Sequence, residues 1–375
     1  MEVKSYQDLN VTPRILLGPG PSMVPPRVLN AMASPTIGHL DPEFLTLMKE
    51  VQELLRYVFQ TENELTVPIS GTGSAGMETA ISNFIEPGDN VLVAVLGYFG
   101  ERLFEMASRY TDNVDRIERP WGEMFDPDEI KTALNQKKYK VLALVHAETS
   151  TGVLQQGIAE IAKAAHQVGT LVVMDTVTSL GGMPVKIDAW GVDVAFSATQ
   201  KSMSAPPGLA PVTVSPQARE VLRNRKTPVG NWYFDLSLLE KYWGDERTYH
   251  HTAPINMNYA LRESLRLVQE EGLEKRFARH RANAEMLWAG LEDMDLSLMV
   301  PEEYRLTTLS TPMVPPGVDS LEVRKKLLSD YNVEIAGGFG PLVGKIWRIG
   351  LMGYSSRREN VLLLLAALRE IFANR

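Results

Sequence analysis

The chain has 375 residues, 44% hydrophobic and 22% charged, so it can bury a sizeable core and is not globally disordered. Its 38 lysines and arginines stand against 46 acids, a net charge of −8, and without a long basic run nucleic acid is not expected as a partner. The absence of cysteine rules out disulfides, thiolate metal sites and a cysteine nucleophile.

The first residues, Met1-Glu2-Val3-Lys4-Ser5, are too polar for a secretory signal. His39-Leu40-Asp41-Pro42 reads as a turn opening a helix at Glu43; its histidine could border a site. Phe44, Leu47, Met48, Val51, Leu54, Leu55 and Val58 then recur at helical spacing. Residues 65–69 read as a short strand, Ser70-Gly71-Thr72-Gly73 as a turn, and 75–84 as a helix. Glu86-Pro87-Gly88-Asp89 is a turn before an apolar strand at 91–96. The pattern repeats as strand 141–146, helix 157–168, strand 171–175 and strand 192–197. Strands apolar throughout are buried on both faces, and helices between them imply a mainly parallel sheet. The fold class is α/β.

Beyond residue 254 the order changes. Helices at 256–269 and 273–291, a strand at 305–309, a helix at 320–331, a strand at 345–349 and a last helix at 358–372 suggest a smaller α+β domain. The expected division is an N-terminal segment (1–20), a large domain (21–254) and a small C-terminal domain (255–375). The longest strongly apolar run, 361–368, is far short of the ~20 residues a membrane helix needs. Ala373-Asn374-Arg375 carries no lipidation or peroxisomal signal. A cytoplasmic protein without a membrane partner is expected.

Gly71-Thr72-Gly73-Ser74-Ala75-Gly76 matches G-x-G-x-x-G. A dinucleotide site wants a clean preceding strand and an acid ending the next one. Here Pro68 interrupts the first, and the second ends in Val95-Leu96-Gly97-Tyr98-Phe99. Two readings stay open for the loop itself: a phosphate cradle of N–H groups with the Thr72 and Ser74 hydroxyls, or a tight strand-to-helix turn.

Lys201 follows an apolar strand in the small-residue loop Ser197-Ala198-Thr199-Gln200-Lys201-Ser202. An ordinary lysine there snorkels to solvent; a Schiff-base lysine needs burial and a carbonyl partner. Asp175 ends the strand Leu171-Val172-Val173-Met174, where ligands bind in open α/β sheets. Phosphate cradle, strand-end Asp and strand-end Lys, in that order, are the parts of a pyridoxal phosphate site.

At this point the sequence resembles the fold-type I, class V aminotransferases, most of all the alanine–glyoxylate and serine–glyoxylate (serine–pyruvate) enzymes. The matching stretches are Leu17 to Ser22, Ser70 to Glu78, His146-Ala147-Glu148-Thr149-Ser150-Thr151-Gly152, Asp175 to Gly182, Gln200-Lys201, Tyr249-His250-His251-Thr252 and Lys345 to Gly350. They cover nearly the whole chain in the family's order.

The resemblance implies that Lys201 attaches pyridoxal 5'-phosphate, Asp175 keeps its ring nitrogen protonated, and Val177 and Phe99 pack on its two faces. Ser150 would touch the ring's phenolic oxygen. Thr72, Gly73, Ser74 and Gln200 would hold the phosphate, and Tyr249 and Thr252 the phosphate of the neighbouring subunit in a homodimer. Arg348 would clamp the substrate carboxylate, helped by backbone near Gly20. Animal members usually carry His and Trp where Ser74 and Phe99 stand, which bears on substrate preference.

The implied reaction is transamination from alanine or serine to glyoxylate or pyruvate. The alternatives are another class V pyridoxal enzyme (a lyase or a different transaminase), a nicotinamide-dependent dehydrogenase, and a non-catalytic protein that kept the fold. A cysteine desulfurase is excluded by the missing cysteine. His146, His250 and His251 show no metal-ligand spacing.

Overall fold

The structure, a computed structural model, describes residues 4–373. The parts of the terminal readings that fall on residues 1–3 and 374–375 lie outside the described residues.

A seven-stranded sheet organises the first two-thirds. Its spatial order is Leu65–Ser70, Leu209–Val214, Val194–Phe196, Leu171–Asp175, Val141–Val145, Val91–Val95, Val114–Glu118. The last five are mutually parallel. Val91–Val95, Val141–Val145 and Leu171–Asp175 are buried along their whole length, as expected of strands covered by helices on both faces. The expected α/β class is what the chain adopts.

Two strands of this sheet were not anticipated, Val114–Glu118 at one edge and Leu209–Val214. Leu209–Val214 runs antiparallel between Leu65–Ser70 and Val194–Phe196. Proline discourages a strand reading, and here Pro211 lies within the strand with Pro68 as its register partner. Pro68 sits on the edge strand, where a missing N–H is tolerated.

The helix Pro42–Phe59 is capped by Asp41, whose side chain accepts from the Glu43 N–H. It buries Phe44, Met48, Val51, Leu55 and Val58. Val51, Leu54 and Leu55 share a core with Leu261, Leu265 and Val268 of the helix Ile255–Glu271.

A second, three-stranded sheet has the order Leu309–Ser310, Trp347–Gly350, Ala336–Gly337. The strand expected at 305–309 is therefore confined to its last residue and Ser310. Arg305 instead makes an isolated bridge to Val153, and its Nε donates to the Val300 carbonyl. In Trp347–Gly350 the alternation of side chains separates two functions. Trp347 and Ile349 enter a core with Leu287, Leu327 and Val361, so Arg348 points to the opposite face. The strand Ile15–Leu16 pairs with Val333–Glu334, and Leu17 O accepts from Gly350 N at 2.7 Å. This anchors the segment that delivers Gly18-Pro19-Gly20 to the large sheet. Among the described residues no helix is long and apolar enough to cross a membrane.

Candidate active site

At the carboxyl ends of the parallel strands lies a cavity of about 200 Å³. Thr72, Gly73, Ser74, Phe99, Asp175, Val177, Gln200 and Lys201, all singled out from the sequence, line it. Each lies at or soon after the carboxyl end of a strand. Asp175 is the last residue of its strand, Lys201 follows Val194–Phe196, and Phe99 opens the helix after Val91–Val95. The helix Gly73–Ser82 begins at the cavity, and Thr72, its N-cap residue, makes no side-chain capping bond. The first N–H groups of a helix have no partner within it, and this end carries partial positive charge.

Burial sets the electrostatics. Asp175 is 3% exposed; desolvation raises its carboxyl from the ordinary 3.8 to about 7, against the Val177 N–H it accepts from at 2.7 Å. Burial lowers the Lys201 ammonium to about 8; the Arg348 charge pushes the same way and Asp175 opposes it. An acid that resists ionising and a lysine that readily gives up its proton thus face one cavity, a pattern found at functional sites.

Lys201 Nζ donates to the Pro19 carbonyl. Gly20, at φ +113°, lies against the same side chain: a Cβ there would stand 2.8 Å from Lys201 Cδ and 3.0 Å from Nζ. Only glycine takes this conformation without strain.

Arg348 is 3% exposed. Its Nε donates to Gly337 O at 2.7 Å and its Nη1 to Thr149 O at 3.5 Å. The Phe339 ring covers the guanidinium face at 3.9 Å. Burial lowers its pKa to about 10, and Glu148 opposes that shift. No carboxylate forms an ion pair with Arg348 among the described residues. A buried guanidinium without one is costly and suits an anionic ligand.

Ser150 requires a correction. It is fully buried outside the cavity, with its hydroxyl donating to Glu148 Oε1 at 2.6 Å and accepting from Tyr98 N at 3.0 Å. Both of its roles are spent on that neighbouring turn. Thr149 lines the cavity in its place. In a run of three hydroxyl residues, Thr149-Ser150-Thr151, sequence alone does not say which one faces inward.

Tyr249 and Thr252 do not line the cavity. Both are exposed; the two hydroxyls are 3.4 Å apart. His146 is packed, with Nδ1 2.9 Å from Ser179 Oγ, and burial pushes it down to about 4. The His39 ring lies 5.2 Å from that of Tyr249, tilted by 54°, and does not line the cavity.

Two residues escaped the sequence reading. Glu148, buried without exposure, accepts from Ser150 N, Phe99 N and Gly100 N. It fixes the start of the helix that carries Phe99, and desolvation raises its pKa. Arg102 lines the cavity, stacks on Phe99 at 5.2 Å and donates to Ser74 Oγ at 3.4 Å. Its place one helical turn after Phe99 was the available signal.

These residues fit pyridoxal phosphate. The helix start offers uncommitted N–H groups for a phosphate, and a Cβ at Gly73 would meet Ala198 Cβ at 2.8 Å. The buried Asp175 carboxyl has one neutral hydrogen-bond donor and suits a protonated ring nitrogen. Larger clefts lack this character: one of about 710 Å³ is lined by Arg27, Arg276 and Arg279, all paired with glutamates.

The aminotransferase class-V family profile matches residues 14–361. A solved alanine–glyoxylate aminotransferase from Nostoc superposes with a TM-score of 0.97 at 54% identity, covering 98% of both chains. A ureidoglycine–glyoxylate aminotransferase from Bacillus subtilis gives 0.96 at 44% identity, covering 98% of this chain and 95% of that one. The alanine–glyoxylate aminotransferase of Drosophila melanogaster is 41% identical over 366 residues, 96% of this chain and 93% of its own. The fold is thus the fold-type I arrangement of these enzymes.

Proposed function

Because the chain belongs to the class-V aminotransferase family, which depends on pyridoxal phosphate, we propose that it moves an amino group from alanine or serine to glyoxylate, with pyruvate as the other acceptor. The observation that carries the reading is the convergence of Lys201 and Asp175 on one cavity bounded by a helix N-terminus. Relatives named for glyoxylate support the acceptor.

Bound pyridoxal phosphate supplies an aldehyde that bonds to amines and a ring that draws electrons from them. Lys201 is the residue that attaches it. Released, its Nζ takes the donor's Cα proton; the lowered pKa keeps a useful share of it neutral near pH 8. Asp175 places its negative charge at the ring nitrogen. Phe99 and Val177 would pack against the ring, Thr149 would face it in place of Ser150, and Thr72, Gly73, Ser74 and Gln200 would hold the phosphate. Arg348 binds the substrate carboxylate, and Gly20 leaves room for Lys201 to move. Tyr249 and Thr252 complete the phosphate site of a partner subunit, so the active form is a homodimer.

The similarity to the Bacillus subtilis enzyme favours ureidoglycine as a second donor. A donor–acceptor panel decides between them: purified holoenzyme with alanine, serine or ureidoglycine, each with glyoxylate or pyruvate. Alanine or serine with glyoxylate should turn over fastest. A clear preference for ureidoglycine would select the second reading, and no turnover with any pair would overturn both.

A further inference from the structure

The proposed reaction leaves one cation of the cavity without a role. Two cationic side chains line it, Lys201 and Arg102, and Lys201 is committed to the cofactor's aldehyde. Arg102 stands in the helix Tyr98–Ala107, one turn after Phe99, and is partly buried. Its Nη1 donates to Ser74 Oγ and its Nη2 to the Tyr98 hydroxyl, both at 3.4 Å. The guanidinium carbon stands 5.1 Å from the centre of the Tyr98 ring and 5.2 Å from that of Phe99. Its charge reaches Asp175, whose ionisation it favours.

No carboxylate neutralises this guanidinium: among the described residues Arg102 makes no ion pair. The acids beside it on the same helix are engaged elsewhere, Glu101 with Arg116 at 2.9 Å and Glu105 with Arg109 at 3.0 Å. Glu148 is committed to the Ser150, Phe99 and Gly100 N–H groups. The groups expected to hold the phosphate are themselves neutral. Thr72, Ser74 and Gln200 carry no charge, and a helix start such as that at Gly73 contributes about +0.5 of a charge. A phosphate monoester carries roughly −1.5 to −2 near pH 7. About one full negative charge therefore remains to be balanced, and Arg102 is the lining cation held against that first helical turn, through Ser74. By donating to Ser74 Oγ it also leaves the serine's own hydrogen free for an acceptor.

We propose that Arg102 supplies the positive charge that holds the cofactor's phosphate, as a binding residue beside Thr72, Ser74 and Gln200. This rests on the reading of the cavity as a pyridoxal phosphate site. Arginine suits the task, since its planar fork can meet two phosphate oxygens at once. Its contact with Phe99 ties the charge to the side chain expected against the cofactor ring, so one helix carries both contacts. The charge acts on the phosphate and not on the pyridine ring. Its loss is therefore felt by pyridoxal 5'-phosphate and not by pyridoxal, which has the same aldehyde and ring but no phosphate.

The test titrates the full chain, freed of cofactor, with pyridoxal 5'-phosphate and separately with pyridoxal, following the absorbance of the bound form. It compares the unsubstituted protein with Arg102→Gln and Arg102→Lys. Arg102→Gln should bind pyridoxal 5'-phosphate roughly ten- to a hundredfold more weakly and pyridoxal within about twofold of the unsubstituted protein. Arg102→Lys should recover most of that loss. Added sodium chloride should weaken pyridoxal 5'-phosphate binding less steeply in Arg102→Gln than in the unsubstituted protein. An equal loss for both ligands would assign Arg102 to packing against Phe99 and overturn the proposal. Unchanged affinity for both, or an Arg102→Lys protein no better than Arg102→Gln, would overturn it too. An unsubstituted protein that binds pyridoxal as tightly as pyridoxal 5'-phosphate would instead overturn the phosphate site itself.

Discussion

Gly20 and Lys201 are packed so closely that the glycine's missing side chain is part of the lysine's working space. The nearest lysine carbon stands 2.8 Å from where a Cβ would be. Gly20→Ala would displace the lysine from its position under the Pro19 carbonyl and strain a backbone at φ +113°. Turnover should fall roughly tenfold or more, as expected when a reacting group is moved by a fraction of an ångström to an ångström. Steady-state kinetics check this; unimpaired turnover would mean the close approach has no bearing on the chemistry.

Asp175→Asn separates catalysis from stability. The amide cannot supply the negative charge, and turnover should drop by roughly 10²- to 10³-fold. Stability of the cofactor-free protein should move the other way. The folded carboxyl ionises at about 7 and the unfolded one at 3.8, so the folded state loses stability as pH rises between these values, and the full cost is present above 7. The variant should therefore be more stable than the unsubstituted protein at pH 8, on the order of 1–3 kcal/mol. Thermal melts should show the difference closing toward pH 4. A gap independent of pH would contradict the assigned cause.

Glu148 is expected to act through Phe99. Glu148→Ala leaves three N–H groups, two of them buried, without this acceptor and should cost about 2–4 kcal/mol of stability. Glu148→Gln keeps an acceptor oxygen and should cost less. Denaturant titration measures both, and cofactor titration of the apo-protein should show weaker binding in the Ala variant. Equal stability and affinity in all three proteins would dismiss the role.

The alternating apolar strands and helices made the α/β class readable, because burial on both faces leaves a continuous hydrophobic run. The strand Leu209–Val214 was hidden by Pro211, Val114–Glu118 by its charged residues, and the strand near Leu309 was overextended because the apolar pattern does not report hydrogen bonding. Lys201, Asp175 and the glycine loop stood out because strand ends and a helix start impose their positions. Ser150 was chosen over Thr149 because neighbouring hydroxyls are alike in sequence and differ only in facing. Glu148 acts through contacts between distant segments, which no local pattern records, whereas Arg102 lies one helical turn after Phe99.

The proposed sharing of the site between subunits is open to complementation. Lys201→Ala and Tyr249→Ala homodimers each have two impaired sites, whereas a mixed dimer would contain one site with both residues intact. Mixing the two under exchange conditions should restore part of the activity. Heterodimers that form and stay inactive would refute a contribution of Tyr249 to the partner's site.

The central claim is that Lys201 carries the cofactor. Borohydride reduction of the holoenzyme followed by peptide mapping should place a pyridoxyl group on Lys201, and Lys201→Ala should bind the cofactor without covalent attachment. A pyridoxyl group on any other lysine, or covalent attachment that persists in the Lys201→Ala protein, would contradict the account.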